Sequence, residues 1–171
     1  MTLGASGTVD RGSTERWRDR KRYLWLLGLV VPSFAFIAVG GYVLTGWGVF
    51  LWTGPIVVLG IVPLIDFAAG LDRSNPPDDV IEELEEDRYY RYITFAFLPI
   101  QYAGFAFAMY LIATQDWPLA HKIGLALTIG FIGGIGINTA HELGHKKESH
   151  ERWLSKIALA QSFYGHFYIE H

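Results

Sequence analysis

Asn138-Thr-Ala-His-Glu-Leu-Gly-His-Lys-Lys-Glu148 lies where a long apolar run turns abruptly polar. On a helix, His141 and His145 stand one turn apart, about 40° around the axis. Two imidazoles on one face can hold a single metal ion, and imidazole suits zinc, copper, iron or nickel alike. The eighteen residues before them, Ile123 to Ala140, carry no charge and are just long enough to cross a bilayer. The stretch therefore predicts a membrane helix that presents a pair of ligands where it leaves the lipid.

The whole sequence has the composition of a membrane protein. Its 171 residues suffice for one domain, with 51% hydrophobic and 15% aromatic residues. Only 18% are charged, against about 25% in a soluble domain. A net charge of −3 with no dominant basic surface speaks against nucleic-acid binding. There is no cysteine, which excludes disulfides, thiolate metal sites and catalytic thiols. Any metal here is held by nitrogen and oxygen.

Working back from the histidines, Gly124, Gly130, Gly133, Gly134 and Gly136 suit close helix packing in lipid, and Gly130 with Gly134 makes a small-xxx-small pair. The turn Gln115-Asp-Trp-Pro118 leads back to a third span, Ile93 to Thr114. Two earlier spans are predicted at Leu24–Leu44, kinked at Pro32, and at Trp47–Ile65, with Trp47 and Trp52 near its interfacial end. Between the second and third spans, Asn75-Pro-Pro77 punctuates a polar segment, and Asp78 to Arg91 predicts a surface helix. Residues 1–22 predict a disordered tail that becomes basic at Arg16, Arg18, Arg20, Lys21 and Arg22. Beyond the histidines, Trp153, Ile157, Ala160, Tyr164 and Phe167 recur at helical spacing. They predict a helix lying at the membrane surface or packed against the bundle. The fold class is thus all-α: a polytopic transmembrane helix bundle with four spans and an interfacial or partly embedded C-terminal helix. Lys and Arg flank the N-terminal tail and the histidine end, so the positive-inside rule puts both in the cytoplasm.

Two chemistries fit His-Glu-x-x-His at a membrane boundary. In one, His141 and His145 bind zinc and Glu142 is the general base of an intramembrane protease. That site needs a third protein ligand. Glu148 and Glu151 stand where the extended metzincin pattern wants a Gly and a His, which leaves His171 for the role. In the other, the histidines belong to an all-histidine non-haem diiron centre.

The second chemistry comes with a family. Asn138 to Lys147 and Tyr164-Gly-His-Phe-Tyr-Ile-Glu-His171 resemble the integral-membrane alkane 1-monooxygenases of the membrane fatty-acid desaturase/hydroxylase superfamily. The first histidine box of that family reads His-Glu-(Leu or Met)-Gly-His-Lys, as here. The second begins Glu-His and continues Asn-x-Gly-His-His, and only Glu170 and His171 are present. The likeness extends upstream through Lys21-Arg-Tyr-Leu-Trp25, Pro63-Leu-Ile-Asp66, Asn75-Pro-Pro77 and Tyr89-Tyr-Arg91.

The resemblance implies His141, His145 and His171 as metal ligands, with Asn138, Glu142, His166 and Glu170 beside them to orient the imidazoles. It implies two non-haem iron ions and terminal hydroxylation of medium- to long-chain n-alkanes to 1-alkanols with O2. Electrons would come from rubredoxin, served by rubredoxin reductase and NAD(P)H, at the bacterial cytoplasmic (inner) membrane. The family's later histidine boxes are missing, so residues 23–171 are expected to be the N-terminal part of a longer desaturase/hydroxylase-like domain, inactive alone. The aliphatic run Ile56–Ile65 leads us to expect tolerance of longer alkanes.

Overall fold

The computed structural model describes residues 19, 21–70, 77, 80–81, 84, 86–145, 148–162 and 164. The expected disordered stretch over residues 1–18 lies outside them, as do His166, Phe167, Glu170 and His171. Every regular element among the described residues is a helix. That is what lipid demands, because each backbone N–H and C=O there has to be satisfied within the protein.

Among the described residues three helices are long and apolar enough to cross a membrane: α2 (Gly48–Ala69), α3 (Arg88–Thr114) and α4 (Leu119–Gly144). The first expected span is broken. A 3₁₀ helix, Arg22–Leu29, meets α1 (Phe34–Thr45) at 68°, and the pair makes a fourth span if counted as one. Pro32 sits inside the break, where it removes a donor and crowds the preceding turn. Ser33 Oγ donates to the Leu29 carbonyl at 2.8 Å, satisfying an acceptor beside the break. α5 (Ser149–Ala160) follows α4 and folds back on it.

α2 runs further than the expected Trp47–Ile65 and changes pitch along its length. It is 3₁₀ over Gly48–Trp52, α over Thr53–Ile56, π over Val57–Ile61 and α again from Val62. Pro63 lacks the N–H that would bond Leu59, and the helix widens just before it. At the 3₁₀-to-α junction the backbone is completed from another helix. Thr128 Oγ1 of α4 donates to the Leu51 carbonyl at 2.8 Å and accepts the Gly54 N–H at 3.0 Å.

Of the five glycines expected to allow close packing on α4, Gly124 and Gly136 do so. A Cβ on Gly124 would lie 2.5 Å from Trp52 Nε1, and one on Gly136 would lie 2.6 Å from Gln101 Nε2. Gly130 and Gly134, the expected pair, meet nothing within 4 Å. They lie on the opposite side of α4 from the buried arc of Leu125, Thr128, Ile132, Gly136 and Leu143.

Two further expectations change. Val80, Ile81, Leu84 and Glu86 are helical, but the chain turns extended at Asp87, so the surface helix stops short of Arg91. Asp87 instead caps α3, accepting the Tyr89 N–H at 2.8 Å. In α5 the apolar stripe of Trp153, Ile157 and Ala160 faces outward, and Trp153 is 65% exposed. The face packed on the bundle carries Glu151, Ser155, Ala158 and Leu159.

The core has two parts. Ala35, Ala38, Val39, Leu51, Ala108, Leu125 and Ile129 pack towards the end where Tyr42 meets Trp117 and His121 edge-on. Phe97, Leu98, Ala140, Leu143, Ala158 and Leu159 pack towards the other. At that second end Arg22 pairs with Asp87 at 3.1 Å and Arg91 with Glu151 at 2.9 Å. The last turn of α4 ends there too.

Candidate metal centre

His141 lies in the final turn of α4, and His145 is its C-cap with φ −82° and ψ −7°. The His145 N–H still reaches the His141 carbonyl at 3.3 Å. Helical geometry thus persists through both residues and brings the rings onto one side. Their Nε2 atoms are 3.1 Å apart, with ring centroids at 4.5 Å and planes at 67°. The distance is that of a hydrogen bond between the two ring nitrogens, one donating and the other accepting. With both nitrogens bare, the same distance suits one cation. At a metal–nitrogen distance of about 2.0–2.1 Å the angle between the ligands is about 100°, between octahedral and tetrahedral values. The donor pair fits a first-row metal ion.

The surroundings favour positive charge. The pair stands at the C-terminus of a 26-residue helix, where the macrodipole leaves about half a negative charge. His145 is exposed and His141 half-buried, so the pair is open at the polar end of the bundle. Among the described residues no group of three His, Cys, Asp or Glu side chains comes together to complete a ligand set. His171, His166 and Glu170 lie outside the described residues.

Of the residues expected to support the rings, Asn138 and Glu142 are among the described ones, and two further histidines lie elsewhere on α4 and α5. Asn138 is exposed one turn earlier and makes no hydrogen bond to either imidazole. Glu142 is exposed too, and a helical step turns it about 100° from His141. His121 is half-buried at the far end of the same helix, edge-on to Tyr42 at 5.2 Å. His150 is exposed on α5, edge-on to Phe95 at 6.1 Å.

Sequence reasoning passed over the residues behind the pair. Ser155 Oγ donates to the carbonyl of Ala140, next to His141, at 2.6 Å. Glu151, which sequence reasoning weighed only as a missing third ligand, is 2% exposed and accepts from Arg91 Nε at 2.9 Å. The available signal was two polar residues spaced i, i+4 within an otherwise packable helix.

Fold and site together define a polytopic helical membrane protein that sets two convergent imidazoles at one end of its bundle. No family model matches the chain. Curated relatives do. Alkane 1-monooxygenase 1 of Alcanivorax borkumensis is 43% identical over 159 residues, 92% of this chain. The alkane 1-monooxygenase of Pseudomonas putida is 40% identical over 168 residues, 98% of it, and that of Ectopseudomonas oleovorans 41% over 159 residues, 93% of it. The chain is a homologue of the alkane 1-monooxygenases and spans 39–41% of the length of these relatives.

Proposed function

We propose that this chain is the N-terminal part of an alkane 1-monooxygenase that hydroxylates the terminal methyl of medium- to long-chain n-alkanes. The convergent Nε2 pair on a membrane helix carries this reading, in a chain whose relatives bear that name. His141 and His145 would hold one of two non-haem irons, with His171 and histidines further along the polypeptide completing the centre. When bound, the irons supply the reduction and activation of O2.

The chain's own residues set up the rest. The spans hold an alkane at the concentration it reaches in lipid and keep water from the reacting methyl. The histidine end, polar and edged by the ion pairs of Arg22 and Arg91, faces a soluble electron donor, which we assign to rubredoxin with its NAD(P)H-linked reductase. With Lys and Arg gathered there, that end lies in the cytoplasm of a bacterial inner membrane. Ile56 to Ile65 bears less on chain length than its composition implies, because Leu59, Ile61, Val62, Leu64 and Ile65 are exposed on the flank of the bundle.

The relatives bear the name of a monooxygenase and lend the zinc protease no support. Membranes carrying the longer polypeptide, with rubredoxin, reductase and NAD(P)H, should convert n-alkanes to 1-alkanols whose oxygen comes from O2. His145→Ala should abolish the product. Undiminished alkanol formation by that variant would refute the proposal, as would a coding sequence lacking Asn-x-Gly-His-His immediately after His171.

A further inference from the structure

α5 carries two polar residues on its buried face, one turn apart: Glu151 and Ser155, 2% and 1% exposed. The rest of that face is Ala158 and Leu159. Burying a carboxylate and a hydroxyl in a membrane bundle is unfavourable unless each finds a partner. Both do, on different helices. Glu151 Oε1 accepts from Arg91 Nε on α3, and Ser155 Oγ donates to the Ala140 carbonyl on α4. Gly144, in the same final turn, leaves room for that hydroxyl, since a Cβ there would come within 3.3 Å of Ser155 Oγ. Beneath the turn, Leu143 packs with Ala158 and Leu159.

The final turn of α4 therefore has two sides. Ala140, Leu143 and Gly144 are gripped from behind by α5, while His141 and His145 project from the front. A last helical turn lacks onward backbone partners and frays easily. Its rotation about the helix axis decides where both imidazoles point.

We propose that Ser155 and Glu151 are positioning residues that hold the Ala140–His145 turn in the register at which the two Nε2 atoms meet one cation. Ser155 fixes the turn to α5, and Glu151 fixes α5 to α3 through Arg91. The inference rests on the reading of His141 and His145 as a metal-binding pair, and the test separates the two.

The full chain in lipid nanodiscs is titrated with Co2+, whose visible absorption reports ligand geometry. Wild type should bind Co2+ and His145→Ala should not. Ser155→Ala and Glu151→Gln should each bind about tenfold more weakly with a shifted band, the size of effect seen when a ligand loses its supporting partner. Their helicity and thermal melting should stay near those of wild type, and Ser155→Thr, which keeps the hydroxyl, should restore most of the affinity. Wild-type affinity and spectrum in Ser155→Ala would overturn the inference while leaving the metal pair intact. So would a loss of affinity that appears only with a loss of helicity. Failure of wild type to bind Co2+, or binding that survives His145→Ala, would overturn the metal pair and this inference together.

Discussion

Replacing Thr128 with Val keeps the volume of a fully buried side chain and removes only its hydroxyl. That hydroxyl serves two backbone groups of α2 at once, donating to Leu51 O at 2.8 Å and accepting from Gly54 N at 3.0 Å. Gly54 lies at the 3₁₀-to-α junction of α2, where its N–H bonds this hydroxyl. An interhelical hydrogen bond in a membrane protein is worth about 0.6 kcal/mol on average and up to about 1.7. Leaving a buried donor unmatched costs about 1–3 kcal/mol. Together these put Thr128→Val at a loss of about 2 kcal/mol, or about 30-fold in the ratio of folded to unfolded protein. Thr128→Ser keeps both bonds and loses one methyl, which costs about 1 kcal/mol. Unfolding in mixed micelles of rising SDS fraction, followed by circular dichroism, measures both. A Val variant as stable as wild type, or a Ser variant less stable than the Val one, would show that the shared hydroxyl does not hold α2 to α4.

Gly124→Ala places a methyl 2.5 Å from Trp52 Nε1. The indole has to turn, at a cost of about 1–3 kcal/mol, seen as a changed tryptophan emission maximum and a lower SDS midpoint. Arg91→Ala leaves Glu151 buried without its partner and should lower stability by about 3–5 kcal/mol; an SDS midpoint like that of wild type would contradict the ion pair. Asp87→Ala removes the cap of α3 and should cost about 1 kcal/mol, with Asp87→Ser recovering most of it. The loss should change little with added salt, because the Arg22 pair is half-exposed and contributes little. A loss that disappears in high salt would shift the credit to the ion pair.

The spans and the histidine pair were legible because each rests on a local rule. Uncharged runs of about twenty residues cross a bilayer, and residues four apart share a helix face. The packing face of α5 was not legible. Apolar periodicity selects Trp153, Ile157 and Ala160, yet in a membrane protein the outer surface is as apolar as the core, so periodicity no longer separates inside from outside. Gly130 and Gly134 mislead for a related reason. Their spacing is right, but which side of α4 meets a neighbour depends on where α2 and α3 lie, and no local pattern records that. Asp87 reads equally well as one more acid in an acidic run or as a cap, and only the break in the chain decides. The positioning of the imidazoles depends on Ser155, fifteen residues beyond the carbonyl it holds, and no motif marks that contact.

The stitch between α2 and α4 also bears on how the protein is made. Thr128 follows Gly54 by 74 positions and Leu51 by 77, so the ribosome delivers α2 long before its missing partner exists. Newly inserted α2 carries an unmet donor and acceptor where the bilayer offers neither, and it stays incomplete until α4 arrives beside it. A polypeptide stalled before residue 128 therefore holds a second span without the hydroxyl that joins Leu51 and Gly54, and that hydroxyl arrives only with the helix that also brings the histidines.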